Sequence, residues 1–317
     1  MKYLITGGAG FIGSSLANHL VNDGHDVVVV DDLSMGKKEN LQLDKVEFLK
    51  GDIRDEKLIT QILSKNKFDY IFLLAAVASV ADSIKRPIET HEINMNANLE
   101  ILELVKKFQK QIKRVVFASS AAVYGDDPAL PKKEISQIKP LSPYAIDKFA
   151  TEKYVLAYNH LYNVPTSAVR FFNVYGMNQN PKSPYSGVLS IITEQFKKVL
   201  SNQETNFVLY GDGEQTRDFV FIKDVIAALL LVSDKSDAKG EVFNVGTGKP
   251  SSLNEVIDIY EQVLNVKLPI KKQDARVGDI QYSFADITKL ESLGYESKYD
   301  LRKGICEYLE YELKKVD

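Results

Sequence analysis

The 317-residue sequence holds a single cysteine, Cys306, so no intrachain disulfide can form and no cysteine-rich zinc or iron–sulfur site can be assembled. That scarcity suits a reducing, cytoplasmic setting. The four histidines, His19, His25, His91 and His160, show no metal-ligand spacing and receive no role. Long apolar runs are missing too: the longest, Tyr70 to Ala78, covers nine residues, against roughly 20 for a membrane-crossing helix. Met1 to Thr6 is too short for the apolar region of a signal peptide and reads as a first strand. Nor does charge of one sign dominate. Forty basic against forty-three acidic side chains leave −3 at pH 7, so no general basic field attracts nucleic acid. Any phosphate must be bound locally.

With 44% apolar and 26% charged residues the composition is that of a globular protein, and its length exceeds the ~150 residues usual for one domain. The N-terminal half alternates β-branched runs with longer helical patterns. This predicts an α/β fold, a doubly wound parallel sheet of the Rossmann type with a smaller mixed α/β substrate lobe. Strands are predicted at Lys2 to Thr6, Asp26 to Asp31, Val46 to Gly51, Asp69 to Ala75, Arg114 to Ser120 and Thr166 to Phe172. Helices are predicted at Phe11 to Asn22, Asp55 to Lys65, Ile88 to Gln109 and Pro143 to Tyr162. Ser142 can cap the last of these, and Pro143 suits its first position. Beyond Asn173, longer loops with Gly and Pro mark a second lobe. The expected division is 1–172 and 173–317, with some later segments returning to the first unit. Ser252 to Glu255 is a capping-box pattern that opens a helix to Leu264, and an amphipathic helix starts near Leu301.

Gly7, Gly8, Gly10 and Gly13 follow the first strand and open the first helix, the context a dinucleotide-binding loop requires. They fit two registers, G-x-G-x-x-G from Gly8 and G-x-x-G-x-x-G from Gly7. In either, Gly10, Phe11, Ile12 and Gly13 begin a helix whose positive end suits a pyrophosphate. Asp31 closes the second strand 18 residues after Gly13, placed to accept from adenosine ribose hydroxyls. Its charge repels a 2′-phosphate, which favours NAD over NADP. Asp52 and Ile53 follow the third strand, where they either hold the adenine or serve as a helix cap and a core residue.

Tyr144 and Lys148 stand four residues apart on one face of the helix that Pro143 begins. Ser120 lies at the carboxyl end of the fifth strand, where open α/β sheets bind their ligands. A phenol with an ordinary pKa of ~10 is a poor base at neutral pH, but a nearby ammonium favours its ionised form.

Together the Gly7 to Gly13 loop, Asp31, Ser120, Tyr144 and Lys148 resemble the extended short-chain dehydrogenase/reductase superfamily, over essentially the whole chain. Within it the sequence is most similar to the UDP-hexose 4-epimerases, through Arg170 to Gly176, Gly211 to Phe219 and Arg276 to Ile280. The resemblance implies an isomerase in which Tyr144 takes the proton of the sugar 4-hydroxyl and Ser120 shares it. Lys148 then binds the nicotinamide ribose, and NAD takes up and returns the C4 hydride. Ala121 and Ala122 stand where related dehydratases carry an Asp-Glu pair and related decarboxylases carry Glu at the second position. Alanine transfers no proton.

On the substrate side, the resemblance assigns Arg217 and Arg276 to the phosphates of a UDP-sugar, with Asn173 donating beside them. Tyr210 packs by the uracil or in the core. Tyr185 and Val188 belong to a loop that lines the pocket or is merely anchored by them. In the stretch Asp279 to Asp286, Ser283 stands where relatives restricted to glucose and galactose carry a bulky tyrosine. The freed volume implies UDP-N-acetylglucosamine and UDP-N-acetylgalactosamine as substrates, alongside the unacetylated pair. Helices 88–109 and 143–162 resemble the pair through which these epimerases form homodimers as a four-helix bundle. A UDP-uronate 4-epimerase, or another nucleotide-sugar enzyme of the superfamily, is the neighbouring reading. A non-catalytic NAD-binding sensor is the reading from another class, and damage to the Ser120, Tyr144 and Lys148 set would be its sign.

Overall fold

Runs such as Val27 to Val30 combine high strand propensity with side chains that must be buried on both faces, which is the signature of a central parallel strand. The computed structural model describes residues 1–180, 187–275 and 280–314. In its first half, β1 spans Lys2–Thr6, β2 Asp26–Asp31, β3 Val46–Lys50, β4 Tyr70–Leu73, β5 Arg114–Ser120 and β6 Thr166–Phe171. The helices between them are α1 (Phe11–Asn22), α2 (Glu56–Lys65), α3 (Val80–Lys85), α4 (Pro87–His91), α5 (Ala97–Phe108) and α6 (Pro143–Tyr162).

In the second half, β7 (Asn173–Tyr175), α7 (Val188–Leu200), β8 (Phe207–Tyr210) and β9 (Thr216–Phe221) come first. Next are α8 (Ile222–Asp234), β10 (Val242–Val245), β11 (Pro250–Ser252) and α9 (Leu253–Leu264). The chain continues through β12 (Ile270–Gln273), β13 (Tyr282–Ser283), α10 (Thr288–Glu291) and α11 (Leu301–Leu313).

Among the described residues, seven strands form one sheet in the order β10-β6-β5-β4-β1-β2-β3, every pair parallel. Strand order reverses between β1 and β4, and the crevice at their carboxyl ends is where such sheets bind ligands. Side chains alternate between the faces. Val27, Val29, Phe72 and Val116 pack in one cluster with Leu16 and Leu20 of α1 and Leu229 of α8. Val28, Val30, Ile71 and Val115 pack in the other, with Ile59 of α2, Ile101 of α5 and Val155 of α6. Each such aliphatic side chain contributes roughly 1.5–3 kcal/mol when fully buried, so the sheet is a firm platform.

β10 lies between β9 and β11 in sequence yet pairs with β6 at the edge of the large sheet. A smaller sheet is centred on β9, which pairs in parallel with β7 and β13 and antiparallel with β11. β8 and β12 form a separate parallel pair. Among the described residues, no helix is long and apolar enough to cross a membrane.

One sequence-based expectation is refined. The segment 88–109 is one run of helix, but α4 passes into a π-helical turn, Glu92–Asn96, before α5 begins, and Val80–Lys85 adds a helix that the periodicity did not show. Asn94 explains the interruption. Its side chain is buried and clamps Val77, accepting from the Val77 amide at 2.8 Å and donating to its carbonyl at 3.1 Å. Its own carbonyl accepts from the Thr151 hydroxyl at 2.9 Å. The extra residue of a π turn lets these bonds form without breaking the helix.

Candidate functional site

The glycine loop is built against the end of β4. The Thr6 hydroxyl accepts from the Leu74 and Ala75 amides at 3.2 and 3.3 Å, which brings that strand end beneath the loop. Gly7 has φ +69°, and a Cβ there would stand 2.7 Å from the Ala75 backbone. At Gly13 a Cβ would lie 2.3 Å from the Gly7 carbonyl oxygen. Gly13 belongs to both registers, and a Cβ at Gly8 would lie 2.5 Å from the Val29 side chain, so only the left-handed turn sets Gly7 apart. Gly10 caps α1 without any side-chain hydrogen bond, and Phe11 and Ile12 begin the helix half-buried against the core. The N-terminus of α1 is thus left to an anion.

Asp31 is buried at the end of β2, accepting from the Ala9 amide at 2.9 Å and the Leu33 amide at 2.8 Å. Burial pushes its carboxyl up, and the amides pull it back. Each oxygen keeps capacity for a further donor such as a ribose hydroxyl. Asp52 follows β3 with an ion-pair partner of its own. Its carboxylate is forked by the exposed Arg54 side chain at 2.6–3.1 Å, and that bond holds it below its ordinary pKa. A ligand amine must compete with Arg54. The helix cap nearby is Asp55, whose side chain accepts from Leu58, while Ile53 is a core residue.

Ser142 caps α6, accepting from the Ala145 amide at 3.2 Å, a bond worth about 1 kcal/mol, and Pro143 takes the first turn. This start aims Tyr144 and Lys148 along one face toward the end of β5. Burial raises the Tyr144 phenol, and the hydrogen bond with the Ser120 hydroxyl lowers it. Ser120 also caps the 3₁₀ turn Ala121–Tyr124, accepting from the Ala122 amide at 3.2 Å. Lys148 is buried, with Nζ donating to the Ala118 carbonyl at 2.8 Å and lying 6.0 Å from the Tyr144 ring centre. Desolvation pulls its ammonium down to about 7, with Asp147 pushing the other way.

Of the residues expected on the substrate side, Arg217 lies on β9, with Asn173 and Ser283 on the strands beside it. Arg217 faces Ser283 of β13 in register, and Asn173 of β7 pairs with Phe219 two positions further on. Arg217 is half-buried, and its Nη1 donates to the Thr216 carbonyl at 2.8 Å. Ser283 is half-buried and Asn173 exposed. Tyr210 ends β8, and its carbonyl accepts from the Gln215 side chain at 3.1 Å. Val188 opens α7, half-buried against the core. Tyr185, Arg276 and Asp279 lie outside the described residues.

A family model, the NAD dependent epimerase/dehydratase family, matches residues 3–246. The chain belongs to this family. The UDP-glucose 4-epimerase of Mycolicibacterium smegmatis is 37% identical over 98% of each chain. Among solved structures, the UDP-glucose 4-epimerase of Thermotoga maritima with UDP-glucose matches with a TM-score of 0.93, at 36% identity over 100% of both chains. The UDP-N-acetylglucosamine 4-epimerase of Methanobrevibacter ruminantium M1, in complex with UDP-N-acetylmuramic acid, gives 0.90 at 34% identity, covering 99% of this chain and 98% of that one.

NAD is the cofactor of this epimerase/dehydratase family, and the residues present fit it. Gly7 and Gly13 let the loop close against the Ala75 backbone and onto the start of α1, α1 has no side-chain cap of its own, and Asp31 ends β2 with acceptor capacity for a ribose hydroxyl. Three polar groups beside the site were not singled out by sequence. Asn94 was hidden in a helical pattern. His91, given no role, has Nδ1 2.7 Å from Asp147 Oδ1, and Asp147 directly precedes Lys148. Asp218 is fully buried next to Arg217 and accepts from Thr247, Gly248 and Ala285 at 2.7–3.1 Å. It thereby holds the strand that carries Ser283. A carboxylate two residues from Ser283's partner strand end was the only sequence signal, and its partners are too distant in the chain to foresee.

Proposed function

We propose that this isomerase is a UDP-sugar 4-epimerase. The observation that carries the reading is the placement of Tyr144 and Lys148 one turn apart on α6, with Lys148 Nζ on the Ala118 carbonyl at 2.8 Å near the end of β5, and two alanines following Ser120. Tyr144 takes the proton of the sugar 4-hydroxyl, and Ser120 holds the same oxygen. Lys148, one turn along α6, binds a ribose hydroxyl and supplies positive charge that favours the phenolate. Bound NAD supplies the hydride acceptor and donor. Loss of the hydroxyl proton to Tyr144 together with the C4 hydride leaves a 4-keto sugar; the sugar turns over, the hydride returns to the opposite face of C4, and the same phenol returns the proton to the 4-oxygen. Ala121 and Ala122 leave no second acid or base for elimination, which favours this over dehydration.

Arg217, with Arg276 and Asn173, binds the diphosphate in this reading, and Tyr210 lies by the base. Residues 1–172 and β10 form the NAD lobe; most of 173–317 forms the substrate lobe. The small Ser283 beside Arg217 favours UDP-N-acetylglucosamine and UDP-N-acetylgalactosamine, with UDP-glucose and UDP-galactose also turned over. The half-exposed apolar stripe Ile146, Tyr154 and Leu161 on α6 supports a homodimer through a four-helix bundle.

Product NMR after mixing the protein with UDP-N-acetylglucosamine, UDP-glucose and UDP-glucuronate tests the reading. Interconversion at C4 of the first two is expected, and turnover of the uronate alone would replace it with the uronate reading. Tyr144→Phe should lose most activity yet still bind nucleotide sugar; full activity would reject the assigned base. Ser283→Tyr should reduce N-acetyl turnover selectively, and an unchanged ratio of the two activities would defeat the sugar assignment.

A further inference from the structure

The polar side chains buried behind Ser120 and Tyr144 take no part in the steps above, yet they join the elements that carry them. Glu152 lies on α6 one turn after Lys148 and two after Tyr144, and is fully buried. Its Oε2 accepts from the Ser119 hydroxyl at 2.7 Å and from Arg170 Nε at 2.9 Å. Its Oε1 accepts from Arg170 Nη2 at 2.6 Å. Ser119 and Arg170 are direct partners across β5 and β6, so one carboxylate ties the helix to both strands. Arg170 Nη1 reaches further, donating to the Tyr124 hydroxyl at 2.8 Å and the Glu134 carbonyl at 3.0 Å. Tyr124 ends the turn that follows Ser120, and its hydroxyl donates to Asn244 Oδ1 of β10 at 2.6 Å. Ser120 is therefore fixed on both sides, through Ser119 before it and Tyr124 after it.

Burying a forked ion pair carries a desolvation penalty that apolar packing of the same volume avoids, so stability is a weak reason for its presence. What the pair adds is direction. The Ser120 hydroxyl belongs to a strand and the Tyr144 phenol to a helix, and their separation depends on how α6 sits on β5. We propose that Glu152, with Arg170 and Ser119, is a positioning unit that holds the Ser120 hydroxyl on the Tyr144 phenol. This rests on the 4-epimerase reading. Losing the tether lets the Ser120 hydroxyl, which favours the ionised phenol, move away from it, so Tyr144 reaches its basic form only at higher pH.

The test compares wild type, Ser119→Ala and Glu152→Gln as NAD-loaded enzymes, reading kcat, KM, bound NAD, melting temperature and the pH profile of kcat. Ser119→Ala leaves the ion pair whole, so it decides the matter if Glu152→Gln does not fold. Expected are a kcat lower on the order of tenfold to a hundredfold with KM within about twofold, and an acidic limb moved to higher pH. NAD content should equal that of wild type. Unchanged kcat and pH profile in folded variants would overturn the proposal, as would a loss of activity matched by a loss of bound NAD. Wild type that fails to interconvert UDP-sugars would instead overturn the 4-epimerase reading.

Discussion

Burial decides what Lys148 can do before any ligand arrives. Its ammonium is pulled down to about 7 because desolvation outweighs the neighbouring Asp147 carboxylate. An unfolded chain keeps this lysine near its ordinary ~10.4. Below about 7 both states are protonated, and the folded protein bears the full penalty of a buried charge. Between about 7 and ~10.4 the unfolded chain binds more protons, so the stability of NAD-free protein rises with pH through that window. Lys148→Met keeps the length of the side chain and removes the charge. It should raise the melting temperature of NAD-free protein most at about pH 6, the gain shrinking toward about pH 10. Thermal melts across that range decide it, and a gain that stays constant with pH would assign the effect to packing. Activity is expected to be lost at every pH, since a ribose hydroxyl and the phenolate both lose their cation.

The elements differ in how openly the sequence announces them, and the difference follows the range of the interactions that make them. β1, β2, β5, α1 and α6 begin and end where local signals put them: valine runs, glycines beside a strand end, Ser142 before Pro143. The capping box at Ser252 and Glu255 is equally local, with both reciprocal bonds formed at 3.1 and 2.7 Å. The π turn at Glu92–Asn96 has no such signal. It exists because Asn94 meets Val77, 17 residues away, and Thr151, 57 residues away. An uninterrupted apolar periodicity therefore reads as one helix. The site divides in the same way. Gly7, Gly13, Asp31, Tyr144 and Lys148 belong to short motifs with a chemical reason for their spacing. Glu152, Ser119 and Arg170 are polar residues whose meaning appears only when β5, β6 and α6 come together. Asp52 shows the converse, because its ion pair with Arg54 two residues on is local in sequence, yet the spacing did not announce it.

At the scale of the whole molecule, α6 serves two masters. One face turns Tyr144, Lys148 and Glu152 toward β5, while Ile146 and Leu161 on the other are 51% and 63% exposed, with Tyr154 between them. Ile84 of α3 and Ile88 of α4 are also exposed, on short helices that pack against α6. Scattered apolar side chains on a surface are ordinary, but a stripe at helical spacing on the helix that bears the base is a candidate contact between copies. The proposed homodimer places this stripe against its own image, which a two-fold axis requires. Ile146→Glu with Leu161→Glu inserts like charges at both ends of that contact without touching Tyr144 or Lys148. Wild type is expected to sediment as a dimer and the double variant as a monomer, with unchanged circular dichroism. A wild-type protein that is monomeric at micromolar concentration, or a variant that remains dimeric, would remove α6 from the interface. Because the same helix carries the phenol, freeing its outer face should also lower kcat more than it raises KM, which links assembly to the geometry of Ser120 and Tyr144.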